Sequence, residues 1–128
     1  MDYRITDLGE LEREVLELVW AHGPSTAENV QSRLSRALRE STVRTVLSRL
    51  EAKGFLTHTT EGRTFIYTAT ETRGTAAAHA VKGIVDRFCN GSIEQVLVGM
   101  VDAQILDQRE LQRLAEKIAK AKRGDKKP

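Results

Sequence analysis

Apolar residues recur at helical spacing between Glu40 and Gly54, in the stretch ESTVRTVLSRLEAKG. One stripe of the predicted helix is apolar, as in a helix packed on a core, and consists of Val43, Val46, Leu47 and Leu50. The opposite face is small, hydroxylic and basic: it consists of Ser41, Thr45, Ser48 and Ala52, and is flanked by Arg44 on one side and by Thr42 and Arg49 on the other. Short side chains let this backbone approach a surface while the arginines reach past them, which suits phosphates and base edges. The pattern therefore predicts a helix that faces DNA.

Two shorter amphipathic patterns precede this helix. The first is predicted to begin at a capping pair, Asp7 and Glu10, and to end near His22 before the glycine and proline that follow. Its inward residues would be Leu8, Leu11, Val15, Leu18 and Val19. The second is predicted to begin at Ser25, with Glu28 three residues later. Its inward residues would be Ala27, Val30, Leu34 and Leu38.

After Gly54 the period of the pattern changes from helical to alternating. Residues 55–60 and 63–69 are rich in threonine, aromatic and β-branched side chains, and Glu61-Gly62 between them suits a tight turn. These features predict a β-hairpin with Arg63 at its tip. Three helices followed by a hairpin is the order of a winged helix-turn-helix, so we predict a mainly α fold with a small β-hairpin wing over residues 1–70.

Three further amphipathic helices are predicted beyond the hairpin. They would run from about Thr72 to Cys89, from a cap at Ser92, and from a capping pair at Asp107 and Glu110. About fifty residues enclose too small an interior to bury every apolar stripe, so we expect a second copy of the chain to cover them. The expected dimerisation residues are Val81, Ile84, Val85, Phe88, Ile93, Val96, Leu97, Leu111, Leu114 and Ile118. The predicted dimerisation domain spans residues 71–121, and residues 122–128 would form a disordered basic tail.

Charge is distributed unevenly along a chain whose formal net charge is only +2. Residues 1–30 contain two basic and seven acidic side chains, whereas residues 31–70 contain seven basic and three acidic ones. A phosphate backbone responds to the local field, so the second segment is where a nucleic acid is expected to bind.

Other classes of protein find little support in the sequence. No apolar run approaches the length of a membrane span, and the acidic N-terminus does not resemble a signal peptide. The single cysteine, Cys89, excludes an internal disulfide and suits a reducing compartment, so we expect a cytoplasmic protein without membrane insertion. No nucleophile stands near a base, and no glycine-rich phosphate loop is present. We therefore expect no enzymatic activity and no cofactor.

Four segments of the chain resemble the BlaI/MecI family of bacterial transcriptional repressors. They are LGELEREVLELVW at 8–20, STVRTVLSRLEAKGFL at 41–56, IYTA at 66–69 and FCNGSIEQVLVGMVD at 88–102. The resemblance implies a homodimer that binds an inverted-repeat operator, typically with TACA/TGTA-like half-sites, at β-lactam-resistance or other stress genes. Two alternatives stay open: a winged helix used as a protein-interaction module, and a metal-responsive regulator with ligands among Cys89, His22, His58 and His79. The three histidines fall on different elements, so the spacing does not favour a metal site.

The resemblance also implies which residues contact DNA. Positions that touch DNA in the family correspond to Thr42, Arg44, Thr45, Ser48 and Arg49. We assign Arg44 and Thr45 to base edges, because arginine pairs with guanine through two hydrogen bonds and threonine offers a hydroxyl and a methyl group. The remaining three are assigned to phosphates, and Arg63 to the DNA backbone or minor groove beside the wing.

Release from DNA is where this sequence departs from the family. In β-lactam-responsive members a membrane sensor protease controls cleavage at an Asn-Phe bond, and such a protease would be a partner in the signalling pathway. The aligned bond here is Gly99-Met100, which lacks both residue types. The copper-sensing branch uses a Cys-x-Cys motif, which this sequence does not contain. The inducing signal is therefore left open.

Overall fold

The computed structural model of the protein describes residues 5–125, and it confirms the predicted fold class. A 3₁₀ turn at Ile5–Asp7 precedes three helices: α1 (Glu10–His22), α2 (Ala27–Arg33) and α3 (Glu40–Ala52). Two antiparallel strands follow, β1 (Leu56–Glu61) and β2 (Thr64–Ala69), and form the wing. Three more helices complete the described chain: α4 (Arg73–Phe88), α5 (Ile93–Asp102) and α6 (Gln108–Asp125). No helix within residues 5–125 is long and apolar enough to cross a membrane.

The described chain forms two compact units, one ending at Gly83 and one beginning at Ile84. The first unit contains a hydrophobic core built from α1, α2, α3 and the wing. Its most buried large side chains include Leu16, Leu47, Leu50 and Leu56. The sequence pattern missed Leu16, because α1 lies under both α3 and the wing and turns a wider face inward than one stripe. Leu8, Leu11 and Leu18 are half-buried at the edge of this core.

Two of the predicted helix caps are wrong. The N-cap of α1 is Gly9, whose backbone N–H donates to the Glu12 carboxylate at 2.9 Å, and not the Asp7–Glu10 pair. The N-cap of α2 is Thr26, whose hydroxyl accepts from the Asn29 backbone at 3.1 Å. Ser25 does not cap α2, because its backbone pairs in both directions with Tyr67 of β2 and its buried hydroxyl donates to the Gly23 carbonyl.

The wing has the predicted strands with a turn shifted by one residue. Glu61 pairs with Thr64, so the two-residue loop is Gly62-Arg63 and not Glu61-Gly62. Gly62 has a φ of +62°, a conformation that side chains rarely adopt. Glycine at the first position of a two-residue loop is typical of a type II′ turn, whose twist matches that of the strands. Arg63 consequently lies at the tip of the wing, as predicted.

The second unit comprises the end of α4 together with α5 and α6. Ser92 caps α5 and Asp107 caps α6 with side-chain hydrogen bonds, as predicted. The α6 helix continues to Asp125, into the segment 122–128 for which we predict a disordered tail, and residues 126–128 lie outside the described chain. The boundary between the two compact units follows Gly83, within α4, whereas the predicted domain boundary is at residue 70. The difference arises because the first part of α4 belongs to the first unit. Arg73 there forms an ion pair with Glu17 and stacks over Trp20.

Candidate nucleic-acid interface

The α3 helix separates its apolar and polar faces as the sequence predicts. The side chains that anchor it in the core are at most 4% exposed and consist of Val43, Val46, Leu47 and Leu50. The residues on the opposite face are all exposed and consist of Ser41, Thr42, Arg44, Thr45, Ser48 and Arg49. A rigid helix thus presents hydroxyl and guanidinium groups to solvent.

An acidic neighbour holds Arg44 on this exposed face. The Nη2 atom of Arg44 lies 2.7 Å from Oε2 of Glu40, one helical turn earlier. The Arg44 side chain remains 65% exposed, whereas the Glu40 side chain is 37% exposed. The sequence prediction of DNA-contacting residues did not include Glu40, although its i,i+4 spacing from Arg44 was a visible signal.

The wing is fastened to α3 by a cluster of polar and aromatic side chains. His58 Nδ1 lies 2.7 Å from the Glu51 carboxylate, and the His58 ring stacks on Phe65 at 4.1 Å between centroids. Burial, and after it the negative charge of Glu51, raise the pKa of Tyr67, whereas the nearby Ser48 side chain and the charge of Arg44 act to lower it. The contact between His58 and Glu51 joins the wing to α3.

A groove of about 510 Å³ lies between α2, α3 and the wing. It brings together three of the predicted DNA-contacting residues, Arg44, Ser48 and Arg63. Its lining also includes residues that sequence reasoning did not select, namely Glu28, Glu40, Phe65 and Tyr67. Thr42, Thr45 and Arg49 are exposed on α3 but do not line the groove. Phe65 was missed because its role depends on the pairing register, which turns it toward the same side as Tyr67.

The C-terminal end of α3 is joined to α1 by a partly buried ion pair. Lys53 Nζ lies 2.9 Å from both carboxylate oxygens of Glu12, and the two side chains are 24% and 12% exposed. Burial acts to raise the pKa of Glu12, but hydrogen bonds from Lys53 and Gly9 together with the Lys53 charge outweigh it, so the pKa lies below its ordinary value. The pair therefore fixes the position of α3 on the core.

A similar contact orders the loop between α2 and α3. The Ser35 backbone N–H donates to the Glu14 carboxylate at 2.9 Å, and Arg36 lies 3.7 Å from the same side chain. The hydrogen bond from the Ser35 backbone is the main cause of the lowered pKa of Glu14. The loop that leads into α3 is consequently held against α1.

The predicted dimerisation residues divide into three groups by exposure. The large exposed side chains are Val81, Ile84, Phe88, Ile93, Leu114 and Ile118. The half-buried ones are Val96, Leu97 and Leu111. Val85 is only 2% exposed within the single chain, and its assignment to the dimer interface stays a prediction. Val85 lies about 100° around the axis of α4 from Ile84, so the two side chains point in different directions.

The remaining candidate residues do not come together. Gly99 and Met100 lie inside α5, with Gly99 exposed and Met100 half-buried. Cys89 is a half-buried free thiol after α4. The three histidines lie on α1, β1 and α4, and residues 5–125 contain no cluster of three potential metal ligands.

Comparison with known proteins gives consistent matches over most of the chain. Residues 8–120 match the family described as Penicillinase repressor. The Penicillinase repressor of Bacillus licheniformis is 27% identical over 125 residues, which cover 96% of this chain and 98% of the relative. The Transcriptional regulator BlaI of Mycobacterium tuberculosis is 30% identical over 129 aligned positions, which cover 98% of this chain and 94% of the relative.

A similar fold occurs in a solved protein–DNA complex. The structure of Streptococcus pneumoniae FabT in complex with DNA superposes with a TM-score of 0.50 and 20% identity. The match covers 91% of this chain and 81% of the FabT chain. At this level of identity, the likeness supports the fold alone.

Proposed function

The chain belongs to the penicillinase repressor family of DNA-binding transcriptional repressors, and from this premise we propose that it binds an inverted-repeat operator as a homodimer. Each subunit places α3 in the major groove, with the two helices in successive grooves on one side of the duplex. Arg44 and Thr45 read base edges there, whereas Thr42, Ser48 and Arg49 bind phosphates. Arg63 contacts the backbone or minor groove beside the wing.

The exposed face of α3 carries this proposal. It combines hydroxyl groups with two guanidinium groups, and its opposite face is buried in a core that fixes the helix rigidly. The α3 side chains are short apart from the arginines, so the helix backbone can enter a groove about 12 Å wide. The pairs Lys53–Glu12 and Glu51–His58 support α3 and the wing at fixed positions, which reduces the ordering needed when DNA binds.

The proposal of a homodimer rests on apolar side chains that the single chain leaves exposed. Phe88 is 73% exposed, Ile93 is 64% exposed and Ile118 is 58% exposed. An isolated soluble domain rarely exposes several such residues on neighbouring elements, and covering them with an identical surface is the commonest solution. Two chains related by a two-fold axis would bind two half-sites of opposite orientation.

The regulated genes are proposed from the relatives. The Bacillus licheniformis relative is a penicillinase repressor by name, so genes for resistance to β-lactams or related stresses are the proposed targets. At positions 99–100 the chain lacks the Asn-Phe bond that is expected for cleavage. The proposed function therefore covers the operator and the class of regulated gene, and it does not include proteolytic release from DNA.

Selection of duplexes from a random pool tests the proposed function. Purified full-length protein is incubated with random double-stranded DNA, and bound molecules are amplified and sequenced through several rounds. We expect enrichment of an inverted repeat whose half-sites are related by two-fold symmetry. If the protein stays folded and the pool remains random after several rounds, the result would contradict sequence-specific DNA binding.

A further inference from the structure

The groove that faces DNA in the proposed function contains two carboxylates. Glu40 begins α3, and Glu28 belongs to the first turn of α2; both line the groove together with Arg44 and Arg63. Acidic side chains oppose the binding of a phosphate backbone. Their presence among the basic residues of a DNA-facing groove therefore requires a separate explanation.

We propose that Glu40 is a positioning residue that makes Arg44 selective for a base edge over phosphate. The inference rests on the proposed function, because it assigns a role to Glu40 within the same interface. The carboxylate of Glu40 lies 2.7 Å from Arg44 Nη2 and occupies one part of the guanidinium group. Guanidinium has five N–H donors in a planar fork, so the remaining donors stay available to the O6 and N7 acceptors of guanine.

The charge of Glu40 determines what Arg44 can bind. A free exposed arginine attracts any phosphate, whatever the sequence of the duplex. When Arg44 is paired with Glu40, the net charge of the two groups is zero, so the attraction for phosphate is reduced. A hydrogen bond to a correctly placed base acceptor depends on geometry more than on net charge, so it is retained. The pair thus lowers non-specific binding more than specific binding.

The stability of the fold does not require this pair. Both side chains are more than one third exposed, and they lie one helical turn apart on the surface of α3. Exposed pairs of this kind contribute little to stability, because solvent screens them. Glu40 can therefore be altered without disturbing the core, which makes its role in recognition measurable.

The test compares Glu40→Gln with Glu10→Gln in the full-length chain. Glu10 is exposed on α1 and has no part in the groove, so its substitution makes the same change in net charge. Affinity is measured at one salt concentration for three duplexes of equal length. They are the selected operator, the same operator with a substitution at the base pair that Arg44 is proposed to contact, and a random sequence. Thermal unfolding verifies that each variant is folded.

We expect Glu40→Gln to bind the random duplex more tightly and to lose about tenfold of its discrimination at the Arg44 base pair. Glu10→Gln should retain the discrimination of the wild type. In an Arg44→Ala background, Glu40→Gln should cause no further loss of discrimination, because Glu40 acts through Arg44.

Equal discrimination by Glu40→Gln and the wild type would overturn this inference and leave the proposed function intact. Additive losses in the Arg44→Ala background would also overturn it, since they would show that Glu40 acts independently of Arg44. A wild-type protein that does not distinguish the operator from the random duplex would overturn the proposed function itself.

Discussion

At the scale of single residues, the position of α3 depends on contacts that sequence spacing does not reveal. The Glu12–Lys53 pair joins residues 41 positions apart, so only the packing of α1 against α3 brings them together. In contrast, the Glu40–Arg44 pair follows from helical spacing alone. The buried stripe of α3 was also predictable, because its period of 3.6 is uninterrupted. Ser25 illustrates an ambiguous local signal, because Thr26 offers an equally good cap and pairing with Tyr67 removes Ser25 from that role.

The Glu12–Lys53 pair predicts a dependence of stability on pH. The pKa of Glu12 in the folded chain lies below the ordinary value of 4.5, so the folded state favours the ionised carboxylate. The ionised Glu12 carboxylate therefore adds to the free energy of unfolding. This stabilisation is complete above the pKa of Glu12 in the unfolded chain, and it is lost as pH falls through the pKa of Glu12 in the folded chain. Glu12→Gln should be less stable than the wild type by about 1 kcal/mol at pH 7, with a smaller difference at pH 3.

Urea unfolding of the wild type and Glu12→Gln between pH 7 and pH 3 measures this dependence. Glu10→Gln is the matched control, because it makes the same chemical change at an exposed position in the first turn of α1. Its stability should follow that of the wild type. If the difference in unfolding free energy between Glu12→Gln and the wild type stays constant across the pH range, the ionised Glu12–Lys53 pair does not stabilise the fold.

At the scale of elements, the wing combines predictable and unpredictable features. Alternating β-branched and aromatic residues, together with Gly62, predict two strands and a turn. The exact register depends on which of two adjacent pairs forms the loop, and local propensity does not distinguish Glu61-Gly62 from Gly62-Arg63. The attachment of the wing to α3 through His58 and Tyr67 is a tertiary property. It could be inferred only once the register had placed both residues on one face.

The position of Arg63 at the wing tip predicts a sequence-independent contribution to DNA binding. Arg63→Ala should weaken binding to the operator and to a random duplex by a similar factor, because a phosphate contact does not depend on base sequence. The slope of log affinity against log salt should decrease in magnitude by about 1, as one phosphate contact is lost. Titrations at four or more salt concentrations measure the slope.

Arg13→Ala is the control for this measurement. Arg13 is an exposed arginine on α1, in the acidic N-terminal segment that is expected to lie away from DNA. Its substitution should leave both the affinity and the salt slope close to those of the wild type. If Arg63→Ala instead weakens operator binding alone, Arg63 reads a base and the assignment to the backbone is wrong.

At the scale of the whole molecule, the order of the helices and strands was easier to predict from the sequence than the surface that covers each apolar face. Most of the residues assigned to the dimer are exposed or half-buried, whereas Val85 is buried within its own chain. Amphipathic spacing shows that a face is apolar but does not say whether the same chain or a second chain covers it. The end of α6 is difficult to predict from sequence, because the charged end of a helix and a disordered basic segment have similar composition.

The exposure of Phe88 predicts the effect of disrupting the proposed dimer. Phe88→Asp replaces an apolar side chain, 73% exposed in the single chain, with a charged one. Because the side chain is exposed, the monomer should still fold, whereas burial of the charge in an interface should oppose association. Sedimentation equilibrium should show a monomer, and operator affinity should fall by at least one hundredfold because only one half-site is bound. Arg87→Gln, a substitution at the neighbouring exposed position, serves as the control. Dimeric Phe88→Asp with normal operator affinity would exclude this face from the dimer.

The affinity of the protein for operators with altered half-site spacing tests whether the two α3 helices of a dimer bind DNA as a symmetric pair. Two α3 helices in successive major grooves require half-sites separated by about 10 bp or a multiple of this distance. Inserting about 5 bp into the selected operator turns one half-site to the opposite side of the duplex, whereas inserting about 10 bp restores its direction. We expect affinity to be highest at the selected spacing and to fall sharply after the half-turn insertion. Affinity that is independent of the spacing would contradict binding as a symmetric dimer, because each α3 would then bind DNA without a partner fixed by two-fold symmetry.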